Sequence, residues 1–109
     1  MEDVLELTRQ LGRKPNVDTA LSIIQWELGG MVKANTYAKW HPPLKEAYMT
    51  DLAKNLADMV FQCRVIASLL NVPFAETIRL GEVAVGEKIR DKERKVDRFK
   101  HYVGDKEGD

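Results

Sequence analysis

"NLADMVFQCRVIASLL", residues 55–70, belongs to the periodic pattern from which the fold class is predicted. Here and in the residues before it, apolar side chains recur every three or four positions, at Leu44, Tyr48, Leu52, Met59, Cys63, Ile66 and Leu70. Spacings of three and four place side chains on one face of an α-helix. No run of strand length alternates with a period of two, so the sequence predicts an all-α protein.

Prolines mark the breaks between the predicted helices. The residue before a proline avoids the helical region, so His41-Pro42-Pro43 and Asn71-Val72-Pro73 each end a helix, and Pro15 follows a loop. Asn71 suits the left-handed conformation in which many helices end. The predicted helices span about residues 2–12, 17–40, 43–71 and 74–103. The last carries its own apolar stripe, at Phe74, Ile78, Val85, Ile89, Val96, Phe99 and Val103.

The chain is long enough for one small domain and too short for two. We expect a single domain over residues 1–109, an elongated bundle of long antiparallel helices with its core in about 17–103 and a frayed, charged C-terminal tail. Between Leu56 and Leu70 the third helix is apolar nearly all round, so it has more apolar surface than packing on one side would bury. We therefore expect a homo-oligomer, either a dimer or a tetramer.

The composition excludes several classes of function. Basic and acidic residues both number 17, so no whole-chain field favours nucleic acid or an anionic membrane. The apolar runs are too short to span a membrane, and the N-terminus lacks the features of a secretory signal. Cys63 is the single cysteine; we expect it to fill the core. The absence of a disulfide framework is typical of a cytoplasmic protein.

Two carboxylates interrupt the apolar pattern. Glu27 lies in the middle of the stripe of the second helix, four residues after Ile23 and four before Met31. Asp58 belongs to a polar stripe on the third helix, made by Asp51, Asn55, Asp58 and Gln62. An ionised carboxylate inside a bundle costs several kcal/mol unless it is paired or bound to a metal.

Two interpretations of these acids remain open. Each acid can form a structural ion pair with one of the nearby cations Lys33, Lys54, Arg64 and Arg79. Alternatively, two acids that face inward from neighbouring helices can share a divalent cation, which takes oxygen ligands from Asp, Glu and Asn. Carboxylates on facing helices are a known way to hold such ions in bundles.

Three short segments resemble one protein family. "ELGGM" (27–31), "NLADMV" (55–60) and "LLNVPFAETI" (69–78) are similar to segments of the MazG-like all-α nucleoside triphosphate pyrophosphohydrolases. That family has the pattern ExxE, a gap, and then ExxD. The corresponding positions here are Glu27, Gly30, Asn55 and Asp58, with 24 residues between the two pairs. The resemblance covers about residues 17–90.

The resemblance implies a MazG-like helical bundle that binds Mg²⁺ and a nucleoside triphosphate. It implies cleavage between the α and β phosphates, which gives a nucleoside monophosphate and pyrophosphate. Glu27 and Asp58 would be the catalytic residues and metal ligands, with Asn55 and Asp51 as auxiliary metal ligands. Basic residues of the last helix would hold the phosphates; the candidates are Lys88, Arg90 and Arg94.

The chain departs from the family pattern at two of its four acids. Gly30 offers no side-chain ligand, and Asn55 offers a neutral carbonyl oxygen in place of a carboxylate. Asp51, Glu46 and Glu82 are candidates to replace the missing acids. We therefore expect either a magnesium-dependent pyrophosphohydrolase of reduced activity or an inactive oligomeric bundle that binds nucleotide or a protein partner.

Three further signals have a plain structural interpretation beside a functional one. Trp26 and Trp40 are expected to fill the core or a subunit contact, with stacking on a nucleobase as the alternative. His41 and His101 have no partner at metal-ligand spacing and are expected to be structural or exposed. Residues 88–100 mix basic and acidic side chains. They are expected to form a solvated helix face rather than a nucleic-acid contact, with Asp91 paired to Arg94 and Lys95.

Overall fold

The computed structural model describes the backbone of residues 3–107 and the side chains of residues 3–95. Over this range the chain forms four α-helices: α1 (Val4–Gln10), α2 (Val17–Trp40), α3 (Lys45–Leu69) and α4 (Phe74–Glu107). A 3₁₀ turn, Pro42–Leu44, joins α2 to α3. The described residues contain no β-strand, so the prediction of an all-α protein is confirmed.

Local sequence signals account for where the helices start and stop. The Asp3 carboxylate accepts a hydrogen bond from the backbone N–H of Leu5 (2.9 Å) at the start of α1. At the start of α2, Asn16 Oδ1 accepts one from the N–H of Thr19 (2.7 Å). Each such cap stabilises a helix by roughly 1 kcal/mol. Asn71 takes a positive φ of 58° after α3, which confirms its predicted left-handed conformation.

The chain divides into two compact units, Met1–Phe74 and Ala75–Asp109. The first unit is built on a hairpin of α2 and α3. Close to the turn, the Tyr37 and Tyr48 rings pack edge to face, with centroids 5.7 Å apart. Farther from the turn, Gly30 contacts Asn55. Because Tyr37 lies opposite Tyr48 and Gly30 lies opposite Asn55, the two helices run antiparallel.

The core of the first unit lies at the end of the hairpin that is far from the turn. Val4 of α1, Ala20 of α2 and Val65 of α3 are buried together, and Leu5, Phe61, Ile66 and Leu69 pack against them. Along the rest of α2 the buried side chains are Ala34 and Ala38. Alanines at these positions let the backbones of α2 and α3 approach closely.

The face of α3 that packs on α2 differs from the predicted stripe. Leu44, Cys63 and Leu70 are exposed, whereas Gln62 and Val65 are buried. The prediction that Cys63 fills the core is therefore wrong. Because α3 is apolar on several faces, its periodicity is compatible with more than one buried face. Contacts with α1 and α2 determine which of these faces is buried.

The second unit consists of the α4 residues from Ala75 onward. Two pairs at i,i+3 spacing, Glu76–Arg79 and Asp91–Arg94, lie along its surface, and the second confirms a predicted pair. The predicted positions Val96, Phe99, His101 and Val103 lie outside the described side chains.

No single helix in the described range is both long and apolar enough to cross a membrane. The bent pair Pro42–Leu69 and Phe74–Lys95 passes that test only jointly, by length and composition.

Candidate functional site

An acidic groove lies between α2, α3 and the loop that joins α1 to α2. Its volume is about 510 Å³, and its walls are formed by Leu11, Arg13, Ile23, Glu27, Ala57, Asp58, Phe61 and Gln62. Glu27 and Asp58 face the same space because the antiparallel hairpin brings their positions opposite one another. Arg13 and Gln62 add a guanidinium group and an amide group to the two carboxylates.

The two carboxylates of the acidic groove are less buried than the sequence predicts. Glu27 is half-buried, and Asp58 is exposed, so the expectation that Asp58 lies inside the bundle is wrong. The face that α3 turns to α2 runs through half-buried Asn55 and Met59 and buried Gln62. Asp58 lies beside that face, at the rim. An exposed carboxylate keeps much of its hydration, so burial alone does not require a cation at Asp58.

Structural ion pairs do not account for Glu27 and Asp58. The ion pairs between described side chains join Arg9 to Glu6, Arg79 to Glu76 and Arg94 to Asp91, each within one helix. Neither carboxylate of the acidic groove belongs to one of these pairs. Both therefore remain available to an incoming cation.

A second cavity, the lysine groove, lies between α2 and α3 nearer to the turn. Its volume is about 420 Å³, and it is lined by Gly30, Lys33, Ala34, Tyr37, Tyr48, Asp51, Lys54 and Asn55. Lys33 Nζ lies 5.6 Å from the centroid of the Tyr37 ring. Two lysines against one aspartate give this groove a positive charge, which suits a phosphate.

Asp51 and Asn55, the predicted auxiliary metal ligands, line the lysine groove. Glu27 and Asp58 line the acidic groove. The structure thus places the four predicted ligands in two different grooves of the same hairpin. Asp51 and Asn55 share their groove with Lys33 and Lys54, whose positive charges oppose a metal ion there.

Gly30 and Asn55, the two departures from the family pattern, are in direct contact. A Cβ atom added to Gly30 would lie 2.6 Å from Asn55 Nδ2 and 3.1 Å from Asn55 Cγ. These distances are shorter than a van der Waals contact, so Gly30 leaves the space that the Asn55 amide fills. The two helices meet closely where the family pattern has its second and third acids.

A third groove, of about 550 Å³, runs along the outer side of α2. It is lined by Ser22, Gln25, Trp26, Gly29, Gly30 and Lys33, and it shares Gly30 and Lys33 with the lysine groove. The Trp26 side chain is 80% exposed, and Trp40 is also exposed. Neither tryptophan fills the core, and the alternative that they form a subunit contact stays a prediction. Trp26 instead offers an open aromatic surface next to the lysine groove.

The basic candidates of α4 lie in the second unit. Lys88, Arg90 and Arg94 are exposed, and Arg94 Nη1 lies 3.5 Å from the Asp91 carboxylate. That pair is the one expected of a solvated helix face. His41 is exposed, as predicted, and its ring lies edge to face with Tyr37, with centroids 6.3 Å apart.

Several residues of the two grooves were missed from the sequence as site residues. Arg13 lies in a loop, and its return to α3 depends on the packing of α1, which no short motif encodes. Tyr37 and Tyr48 had a usable signal. Once Pro42-Pro43 is taken as the turn of an antiparallel hairpin, residues equally far from it on α2 and α3 face one another, and this pairing brings together Tyr37 with Tyr48 and Gly30 with Asn55.

The acidic groove supplies few ligands for Mg²⁺. Among the described residues, no three His, Cys, Asp or Glu side chains come together as a metal-binding group. Glu27 and Asp58 supply two carboxylates to the acidic groove, which Gln62 and the Arg13 guanidinium also line. Proteins often hold Mg²⁺ by one or two carboxylates together with substrate phosphates and water. The residues therefore fit one ion that arrives with a phosphate ligand.

Comparisons with protein-family models, curated proteins and solved structures gave no match.

Proposed function

We propose that the chain is a MazG-like nucleotide pyrophosphohydrolase of reduced activity, which takes a magnesium nucleoside triphosphate between α2 and α3. The observation that carries this proposal is that one hairpin bears two grooves of opposite charge, whose linings include residues about one helical turn apart: Glu27 and Gly30 on α2, and Asn55 and Asp58 on α3. The acidic groove presents Glu27 and Asp58, and the lysine groove presents Lys33 and Lys54. A cation and a polyphosphate are complementary to these two surfaces.

The lysines would bind the phosphate chain. Lys33 and Lys54 lie on opposite helices and line the same groove, so a phosphate between them would receive charge-assisted hydrogen bonds from both sides. A hydrogen bond to a charged group contributes about 1.5–3 kcal/mol. Asn55, which lines the lysine groove, would donate from its amide to the same phosphate chain.

The carboxylates would hold the cation side of the substrate. Glu27 and Asp58 are the only described acids of the acidic groove, and neither is engaged in an ion pair between described side chains. A magnesium ion bound there with the phosphates would neutralise phosphate charge and acidify bound water. Glu27 and Asp58 would also orient the attacking water by accepting its hydrogen bonds.

Trp26 offers a place for the base. Its exposed indole lies in the groove that shares Gly30 and Lys33 with the lysine groove. Stacking of a base on an aromatic side chain contributes about 1–3 kcal/mol and is possible for any of the bases. A stacked base on Trp26 would leave the phosphates within the lysine groove.

We further propose that the protein is a homo-oligomer and that it acts in the cytoplasm.

Pyrophosphate release from a panel of canonical and modified triphosphates tests the proposal. Wild type is expected to release pyrophosphate with magnesium, and Glu27→Gln and Asp58→Asn are expected to abolish release with helix content unchanged by circular dichroism. Glu87→Gln removes a charge from an exposed position on α4 and serves as the matched control. Release that persists at the wild-type rate in both groove variants would refute the proposal.

A second candidate function is nucleotide binding without catalysis. The contact of Gly30 with Asn55 favours it, because two neutral residues fill the place of two acids of the family pattern. The double variant Gly30→Glu/Asn55→Glu separates the two candidates. If wild type binds nucleotide without turnover and the double variant gains magnesium-dependent turnover, the chain is the inactive form. If wild type binds no triphosphate, both candidates fail.

A further inference from the structure

α4 carries a seam with the spacing of a coiled coil. Ile78, Glu82, Val85, Ile89 and Lys92 follow one another at intervals of four, three, four and three residues. Ile78, Val85 and Ile89 are 49–55% exposed, and Glu82 and Lys92 are exposed as well. Alternating intervals of three and four keep a seam on one side of a helix and let two helices pack.

The second unit contains no other described element that could cover this seam, since it consists of α4 alone. An isolated helix gains most of its stability from packing of its apolar face. Three aliphatic side chains at seam positions therefore call for a partner helix. The two charged residues of the seam determine which partner fits.

In a parallel pair of α4 helices, each charged residue would meet its own copy. Glu82 would face Glu82 of the second copy, and Lys92 would face Lys92 of the second copy. Like charges at the seam of a coiled coil are unfavourable and act against that arrangement. The sequence of the seam therefore disfavours an in-register parallel pair.

An antiparallel pair in which the Glu87 residues of the two copies lie at the same height matches each charged residue of the seam with its opposite. Glu82 precedes Glu87 by five residues and Lys92 follows it by five, so each faces the other across the pair. Val85 and Ile89 lie two residues before and after Glu87 and also face each other. A shift by one heptad in either direction would set Glu82 against Val85, or Lys92 against Ile89. Either shift leaves a charge without a partner in an apolar seam.

We propose that two copies of this chain associate through α4 as an antiparallel pair in this register. The charge complementarity of Glu82 and Lys92 identifies the partner as a second copy. A single polar pair in a coiled-coil seam typically fixes orientation and register at some cost in stability. The two symmetric Glu82–Lys92 contacts have that role here.

Contacts at the rim of the pair are mixed in sign. Arg79 would lie near Glu93 of the second copy, which is attractive. Lys88 would lie near Lys88 of the second copy, which is repulsive. All three side chains are exposed, and exposed charge pairs contribute little, so the seam decides the arrangement.

Charge reversal with rescue tests the proposal by analytical ultracentrifugation of the full chain. Glu82→Lys and Lys92→Glu are each expected to raise the dimer dissociation constant at least about tenfold, which corresponds to about 1.4 kcal/mol. The double variant Glu82→Lys/Lys92→Glu restores the pairing and is expected to return the constant to near its wild-type value. Glu87→Lys makes the same charge change at an outward position of α4 and is expected to have no effect.

The orientation is tested by distances between spin labels. Leu80 precedes Glu87 by seven residues, so labels on Leu80→Cys, in a Cys63→Ser background, lie about 20 Å apart along an antiparallel pair. In a parallel pair the two labels would lie at the same height, with no separation along the helix axis, so the distance between them would be shorter. A wild-type chain that stays monomeric, single variants that dimerise normally, a double variant that fails to recover, or labels at the same height would each overturn the proposal.

Discussion

The contact between Gly30 and Asn55 makes a quantitative prediction about two neighbouring glycines. Gly29 and Gly30 both lie in the interior of α2. Replacing a helix-interior glycine by alanine stabilises a helix by about 1 kcal/mol. A Cβ added at Gly29 meets nothing within 4 Å, so we expect Gly29→Ala to give this full gain in the free energy of unfolding.

Gly30→Ala is expected to behave in the opposite way. Its Cβ would lie 2.6 Å from Asn55 Nδ2, so the amide must rotate or the helices must separate. Such overpacking costs about 1–3 kcal/mol, which cancels or exceeds the gain in helix propensity. The two variants should therefore differ by about 1–3 kcal/mol, and a difference of 1 kcal/mol shifts the melting temperature by about 4–8 °C for a domain of this size.

Urea and thermal unfolding followed by circular dichroism measure this difference. Asn55→Ala in the Gly30→Ala background removes the amide that the new methyl group meets. This double variant should recover most of the lost stability, as expected for two side chains in contact. Equal stabilisation by Gly29→Ala and Gly30→Ala would refute the close approach of α2 and α3 at this point.

Three further predictions address the helix caps, the charge pairs and the exposed thiol. Asn16→Ala removes the cap of α2 and is expected to lower the free energy of unfolding by about 1 kcal/mol. The control Asn35→Ala, at an exposed interior position of the same helix, should not lower it. Equal losses in the two variants would contradict the capping role. Arg79 donates hydrogen bonds to the Glu76 carboxylate and lowers the pKa of Glu76 below its usual 4.5, so the stabilisation from this pair is present above the unfolded-state pKa and is lost as the pH falls through the lower folded-state pKa. An NMR titration should show the Glu76 pKa rising in Arg79→Ala, and an unchanged value would count against the pair. Cys63 is exposed and should react with a thiol reagent in the native protein as fast as a free thiol; reaction only after unfolding would show that it is covered.

The local elements could be predicted from the sequence because their signals are local. Proline at 42, 43 and 73 and asparagine at 16 and 71 act on the backbone next to them, and the helices begin and end close to those residues. The all-α class followed from periodicity alone. The extension of α4 to Glu107, past the expected end at 103, had no such signal.

Which face of α3 becomes buried could not be predicted in the same way. Several stripes of that helix are apolar, and the choice between them depends on contacts with α1 and α2 from distant parts of the chain. The apolar pattern therefore predicts Cys63 in the core and Asp58 in the interior, although Cys63 is exposed and Asp58 lies at a rim. Glu27 and Asp58 line one groove, because positions equally far from the turn of an antiparallel hairpin face one another.

We propose that a magnesium nucleotide binds to the two grooves of the α2–α3 hairpin. An NMR titration of the ¹⁵N-labelled chain with a non-hydrolysable nucleoside triphosphate, with and without magnesium, tests this claim. We expect saturable shifts of the amide signals of Gly30, Lys33 and Asn55 in both titrations, with shifts at Glu27 and Asp58 that require magnesium. Signals of the hairpin that stay unchanged at millimolar nucleotide, or shifts confined to other residues, would contradict the claim.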